Sequence, residues 1–278
     1  MQLDYSWTPA QIEKRAARDS LAALSRMGGR YASVPPYNDE PKVVNLTVTF
    51  PGALEGRGLG RASGSSLEFD RAAAKVFGEA VERVSALPPA DIEAVPRLRY
   101  EDLDEDAMDP QLLFTSCRGV RPTREDSIRW MEGLRVGRSG QAKSLVPAKL
   151  VYLPYEVADE PIWFLSTSNG LAAGSSPEHA AYAGLLELVE RDALMRFWTN
   201  PETAAFLPVE AMNDDRLVAL CSLAARYGLR PDLVLLSVPF PSVAVVLCYV
   251  ADTTGYGPHG SIGLKAAGSI SRVMKIAD

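Results

Sequence analysis

Cysteine, histidine and long apolar runs are what this chain has least of, and each shortage closes off a class of function. Among 278 residues there are three cysteines, Cys117, Cys221 and Cys248, and two histidines. The cysteines are odd in number, far apart and form no C-x-x-C pair, so neither a disulfide framework nor a structural zinc site is expected. Cys248 lies inside SVAVVLCYV, an apolar run of strand length, and reads as a buried, inert thiol. No window approaches the roughly 18 unbroken apolar residues of a membrane-spanning helix, and the N-terminal MQLDYSWTPAQIEKRAARDS has no apolar signal core. A soluble, cytoplasmic protein with no membrane role is expected. Positive charge is short as well: 29 Lys and Arg stand against 35 Asp and Glu, a net charge of -6. That balance argues against a protein that holds nucleic acid by general positive charge, and no local basic patch is visible. A P-loop, G-x-x-x-x-G-K-[ST], is missing too.

Apolar residues are plentiful, at 47% of the chain, enough to bury a large core. One domain with lobes is expected over 1–278, with an N-terminal helix and strand region over 1–50, a core over 51–200, and a helix with apolar strands over 201–278. TPAQIEKRAARDSLAALSRMGG opens with a capping box, Thr8 to Gln11, and stops at Gly28 and Gly29, which predicts a helix over 9–27. VVNLTVTF alternates as a strand does. GALEGRGLGRASGSS, 52–66, is rich in glycine and serine and reads as a loop. A helical pattern then runs over 67–86 until Pro88 and Pro89 end it.

The acidic EDLDEDAMD, 101–109, reads as a solvated surface segment. AKLVYLPY and PIWFLS read as strands. Ser175, three residues before Glu178 with Pro177 between, predicts the start of a helix over 177–198. Another helix is expected near 214–227, stopped by Gly228, followed by two apolar strands, DLVLLSV and VAVVLCYV. The last stretch, GYGPHGSIGLKAAGSISRVMKIAD, offers glycines and serines with a short helix near its end. Strands and helices mix without strict βαβ alternation, which predicts a mixed α/β or α+β fold.

Two helices carry the same charged pattern. FGEAVERVSA places Glu79, Glu82 and Arg83 at i, i+3 and i+4, and LLELVERDA places Glu187, Glu190 and Arg191 at the same spacing. Each set shares one face about one turn long. A single E-x-x-E-R is most often a solvated face whose ion pairs contribute a few tenths of a kcal/mol. Here both sets are flanked by small and apolar residues, Ala80, Val81 and Val84 in one and Leu186, Leu188 and Val189 in the other, so the carboxylates read as partly enclosed. Four enclosed carboxylates repel unless cations or protons are taken up. A hard divalent ion such as Mg²⁺ prefers oxygen ligands and is commonly shared with substrate phosphates, and guanidinium groups match phosphate oxygens. TSNGLAAGSSPE, 167–178, runs small residues into a helix N-terminus, where free N–H groups favour an anion, although glycine before a cap is also ordinary turn chemistry.

The blocks GRGLG, AAAKVFGEAVERVSA, WMEGLRVGRSGQAKSLVPAKLVYLPY and SNGLAAGSSPEHAAYAGLLELVERDA, in that order, resemble the YcaO family of ATP-dependent enzymes that activate peptide backbone amides. The resemblance covers about residues 50–200. It implies the family's mixed α/β architecture, with the nucleotide between the two E-x-x-E-R helices. It assigns Glu79, Glu82, Glu187 and Glu190 to Mg²⁺, Arg83 and Arg191 to phosphate or to support of the carboxylates, and Asn169 to the nucleotide pocket. ATP and Mg²⁺ are the implied cofactors, a ribosomally made precursor peptide the substrate, and a separate leader-binding protein the partner; self-association is left open.

In such enzymes a nucleophile adds to the amide carbonyl, ATP phosphorylates the resulting oxygen, and elimination expels phosphate, giving an azoline, a thioamide or an amidine. No nucleophile from this chain is then needed, and Cys117, Ser166, His179 and His259 are expected to be structural or solvated. Two departures stand out. Lys75 occupies a position, four residues before Glu79, where serine is frequent in the family; a lysine there either contacts phosphate or balances the acidic face, and the second reading is preferred. The chain also stops at Asp278, before the further helix and Pro-rich tail expected of azoline-forming members. A shortened chain that keeps the fold and binds nucleotide or a partner, acting only as a subunit, is therefore the alternative. An unrelated metal-dependent ligase is the third class.

Overall fold

The computed structural model describes residues 22, 25–26, 28–34, 43–50, 60–113, 121–137, 140–163, 166–201 and 204–268. The helix expected over 9–27 falls almost wholly outside these residues, as do Cys117, residues 52–59 of the expected loop, and the short helix expected near the C-terminus. By contact pattern the chain divides into two compact units, Met1–Val81 with Asn169–Asp278, and Glu82–Ser168. The first is discontinuous in sequence, which residue order alone does not reveal.

The first unit begins with β1 (Arg30–Val34), β2 (Val44–Phe50) and β3 (Gly60–Ser66), a three-stranded antiparallel sheet in the order β1-β2-β3. The expected loop over 52–66 is thus a strand from Gly60 onward, paired with β2 from Phe50↔Gly60 to Val44↔Ser66. Its glycine and serine content reflects close packing rather than looseness. A Cβ on Gly64 would lie 2.6 Å from the Ala72 carbonyl oxygen of the next helix, so only a residue without a side chain fits there. That helix, α1 (Phe69–Ser85), buries Ala72, Ala73, Val76 and Ala80, a stripe at helical spacing, and runs from the first unit into the second.

In the second unit β4 (Arg97–Leu98), β5 (Ile128–Gly137) and β6 (Gly140–Pro147) form an antiparallel sheet in the order β4-β5-β6. AKLVYLPY is not the strand its apolar pattern suggests. Pro147 ends β6, having no N–H for the ladder, and a helical turn, α2 (Ala148–Val151), begins there. The described part of PIWFLS is likewise irregular, because Trp163 is buried in the core with Ile128 and Trp130 rather than laddered, its Nε1 donating to Asp126. The acidic stretch 101–109 is mostly exposed, as expected, yet its carboxylates are engaged: Asp102 with Arg99, Asp106 with Arg135, and Asp109 with Arg124.

A buried cation ties this unit together. The Arg129 guanidinium, on β5, donates to Asp159 at 2.9 and 3.1 Å, to Glu160 at 2.9 Å and to the Glu93 carbonyl at 3.1 Å. Glu160 also accepts from the Tyr155 hydroxyl at 2.9 Å and from the Arg129 backbone N–H at 2.9 Å. Asp159 and Glu160 hold the arginine charged, and burial together with Glu160 drives the Tyr155 phenol well above its ordinary value. One side chain therefore joins the 92–94 turn, β5 and the 155–160 segment.

The chain then returns to the first unit with α3 (Pro177–Thr199), β7 (Ala204–Leu207), α4 (Asp215–Arg226), β8 (Leu229–Leu236), β9 (Ala244–Asp252) and β10 (Gly260–Ala267). The four strands are antiparallel in the order β10-β9-β8-β7. Val189 and Ala193 of α3 pack with Val245 and Leu247, whereas Leu217 of α4 packs with Ala244 and Val246. Alternate residues of β9 point to opposite faces, so α3 and α4 cover the two sides of this sheet. The helices and apolar strands expected here are present, with Gly228 at φ 68 ending α4. Two details differ. Ser176, not Ser175, caps α3 by accepting from the His179 N–H. Residues 260–267, expected to be irregular, form β10, because the long apolar β9 offers an eight-residue register and buries Ala266 and Ala267.

Replacing Arg129 with alanine strands the buried Glu160 carboxylate without its cation. The loss is expected to be about 3–5 kcal/mol, read as a lower urea midpoint with an unchanged slope.

Candidate functional site

Each acidic face is positioned by its helix, but the carboxylates meet different surroundings. On α1, Glu79 Oε2 accepts the backbone N–H of Ser63 on β3 at 2.9 Å. Three residues on, Glu82 is largely covered and lies 3.9 Å from Arg83. The boundary of the two units falls within this helix, Glu79 belonging to the first and Glu82 with Arg83 to the second. Lys75, one turn before Glu79, donates to the Ser65 carbonyl at 3.0 Å.

On α3, Glu187 Oε2 accepts from the Gly170 N–H at 3.3 Å and Oε1 from Arg191 at 3.4 Å. Both bonds are long, and Arg191 remains half exposed. Glu190 points the other way, into the sheet side of the helix. It is 6% exposed, and its Oε2 accepts the Ala266 N–H of β10 at 2.9 Å with the Lys265 ammonium 3.9 Å away. Burial raises the Glu190 pKa, while Lys265, the Ala266 N–H and Arg191 oppose the rise.

The small-residue segment before α3 is held against that helix by backbone contact. Gly170, at φ 85, lies so close to Gly184 that a Cβ on Gly184 would come within 2.4 Å of the Gly170 oxygen. Gly174 is as tight against the first turn, where a Cβ would stand 2.4 Å from the Ala180 nitrogen. Asn169 is exposed beside Gly170. Ser175 N–H donates to His179 Nδ1 at 3.3 Å, which orients the imidazole at the start of α3.

The structure thus brings Glu187, Arg191 and the Gly170 segment into one neighbourhood, and places Glu190 against β10 and Glu79 against β3. Among the described residues no three His, Cys, Asp or Glu side chains lie close enough to hold a metal ion. The donor set nonetheless fits a hard divalent cation in kind: carboxylate oxygens throughout, one of them buried, and no thiolate or imidazole competing. Lys265 and Ala266 are the partners that sequence reasoning missed. Their signal was the apolar β9 just before them, which needs a neighbour to pair with.

A family profile described as YcaO cyclodehydratase, ATP- and Mg²⁺-binding, matches residues 63–271. The chain belongs to the YcaO family. Its fold is similar to that of YcaO from Methanopyrus kandleri bound with AMPPCP and Mg²⁺, with a TM-score of 0.72 at 22% identity over 95% of this chain and 64% of that one. A heterocyclase in complex with substrate and cofactor aligns with a TM-score of 0.78 at 19% identity, over 94% of this chain and 38% of the other. A chain of the E. coli microcin synthetase McbBCD complex gives 0.63 at 16% identity, over 88% and 60%. An uncharacterized protein of Methanothermobacter thermautotrophicus is 27% identical over 66% of this chain and 50% of its own length. The chain therefore spans about half to two thirds of several of the proteins it matches. No described helix is long and apolar enough to cross a membrane.

The Glu190 environment has a measurable sign. A raised carboxyl pKa favours the folded state most below the ordinary value of 4.5, and that contribution is lost as pH rises through the raised value. Glu190→Gln keeps an acceptor for Ala266 and removes the titration, so metal-free variant should gain stability relative to the parent as pH rises from about 4 to 8. Glu190→Ala also removes the titration but leaves the N–H unsatisfied, and should be about 1–3 kcal/mol less stable than Glu190→Gln throughout. Urea unfolding of both variants across that range checks the pair of expectations.

Proposed function

We propose that this chain takes part in ATP-dependent activation of peptide backbone amides, modifying a ribosomally made precursor peptide in the cytoplasm. The observation that carries the reading is Glu190, a buried carboxylate on α3 kept beside a lysine, in a member of an ATP- and Mg²⁺-binding family. Glu79, Glu82, Glu187 and Glu190 hold Mg²⁺ in this reading, Arg83 and Arg191 reach phosphate oxygens or steady the carboxylates, and Asn169 lines the nucleotide pocket.

Bound Mg²⁺ neutralises charge on the transferring phosphoryl group. The chain's own residues position and exclude. Glu187 can exchange its two long hydrogen bonds for a cation, and Arg191, released from Glu187, then faces an anion with its guanidinium fork. Glu190 stays anchored through the Ala266 N–H. The N–H groups of the glycine-rich 169–176 segment lie just before α3, where the helix favours negative charge. A nucleophile adds to the peptide carbonyl, the resulting oxygen takes the γ-phosphoryl group, and phosphate leaves with that oxygen. Azoline, thioamide and amidine products differ only in the nucleophile.

A second reading, a nucleotide-binding subunit active only within an assembly with a leader-binding protein, draws on the likeness to a chain of the McbBCD complex.

ATP should bind only with Mg²⁺, and calorimetry showing equal affinity with and without EDTA would remove the metal-bridged site. Glu82→Gln and Glu190→Gln should each weaken Mg²⁺-dependent binding, and the double variant should lose clearly less than the sum if both line one site. ATP-dependent mass change of a precursor peptide by the chain alone separates the first reading from the second.

A further inference from the structure

In the four-stranded sheet β7 stops short of its neighbour. β8 pairs with β9 over its whole length, from Leu229↔Asp252 to Leu236↔Val245, but with β7 only over Leu233–Leu236. The Thr253 N–H donates to the Gly228 carbonyl at 2.8 Å, which fixes the alternation of the β8/β9 ladder. The Gly228 carbonyl and the backbone groups of Arg230 and Asp232 turn to β9, so Leu229 and Pro231 turn theirs to the side that β7 leaves open among the described residues. Pro231 agrees with this, since a proline within a strand belongs where its missing donor faces a free edge.

A groove of about 450 Å³ runs along that edge. One wall is the α4 stripe Val218, Cys221 and Ala225, at i, i+3 and i+7, and the opposite rim is Val209 and Glu210. Val218 is 43% exposed although apolar. Burial pushes the Cys221 thiol up, so it lines the wall as a small neutral group. Arg230 is balanced by Asp232 at 3.1 Å, whereas Glu210 makes no ion pair among the described residues, which leaves the rim negative. A strand edge beside a helix, with an apolar wall and one unbalanced carboxylate, matches the needs of an extended chain: backbone groups to pair, one apolar side chain to cover, one cation to place.

We propose that this groove docks an extended peptide segment as an added strand beside Leu229 and Pro231, with an apolar side chain on Val218 and Ala225 and a lysine or arginine toward Glu210. The groove lies on the α4 side of the sheet, away from α3 and Glu190, and does not depend on the nucleotide reading.

The test uses the whole chain, labelled with ¹⁵N, and the capped peptide Ac-KVTVK-NH2, beside a copy N-methylated at alternate residues so that its strand donors are lost. The parent peptide should shift the amides of Leu229, Val218 and Ala225, and the methylated copy should bind about tenfold more weakly or worse. Glu210→Lys should weaken binding of the basic peptide, and Val218→Arg, a change at an exposed position, should abolish it. Absence of shifts at Leu229, equal binding of the methylated copy, or the same shifts arising from protein concentration alone, as a second copy in the groove would give, each overturn the proposal.

Discussion

Glu190 lies inside α3 with its Oε2 2.9 Å from the Ala266 N–H, and this bond closes the edge of the sheet that α3 covers. A buried backbone donor on an edge strand must find an acceptor, and here no further strand supplies one among the described residues. A glutamine would serve that need without a charge to desolvate. Strand closure alone therefore does not explain the carboxylate, whose buried charge a nearby cation would stabilise. Lys265 at 3.9 Å answers part of that demand from a partly exposed position, which softens the cost of burial without forming a tight pair. The register of β10 on β9, the seating of α3 and the polarity of the candidate site all meet at this one side chain.

Close backbone approach is the second constraint, and it explains the small residues better than flexibility does. Gly64 lets β3 rest on α1 at Ala72, and Gly184 lets the Gly170 segment rest on α3. Each contact brings a main-chain donor within reach of a carboxylate: Ser63 N–H for Glu79, Gly170 N–H for Glu187. A side chain at either glycine would push the strand or segment outward and part those pairs. The same composition that makes the stretches look like loops is what allows the acidic helices to be fitted with backbone partners.

Elements with strong periodicity were legible in the residues. α1 and α4 carry apolar stripes with clear stops, α3 has a capped start with Pro177 in its first turn, and β2, β8 and β9 carry long apolar or alternating runs. β3 and β10 were not legible, because glycine and serine lower strand propensity and only a neighbour's register overrides it. α2 was hidden by apolar residues that read equally well as strand, and Pro147 decides between them. The E-x-x-E-R pattern was legible as a motif, but the surroundings of its carboxylates were not. Equal spacing puts Glu187 and Glu190 on one face, yet i and i+3 differ by about 60° around a helix. That angle is enough to send Glu190 under the sheet edge and Glu187 toward the Gly170 segment.

The two carboxylates of α3 thus differ in how firmly they are committed. Glu190 is buried and bonded at 2.9 Å to a strand that cannot move without breaking its ladder to β9, so its position is set before any ligand arrives. Glu187 is more open, and its bonds at 3.3 and 3.4 Å go to a segment and a half-exposed arginine. Exchange of weak, solvent-near bonds for a cation costs little, whereas exchange at a buried, well-made bond costs a desolvated donor. One fixed and one exchangeable carboxylate on the same helix suit the proposed metal and phosphate site, in which Glu190 would supply the preorganised group and Glu187 with Arg191 the exchangeable one.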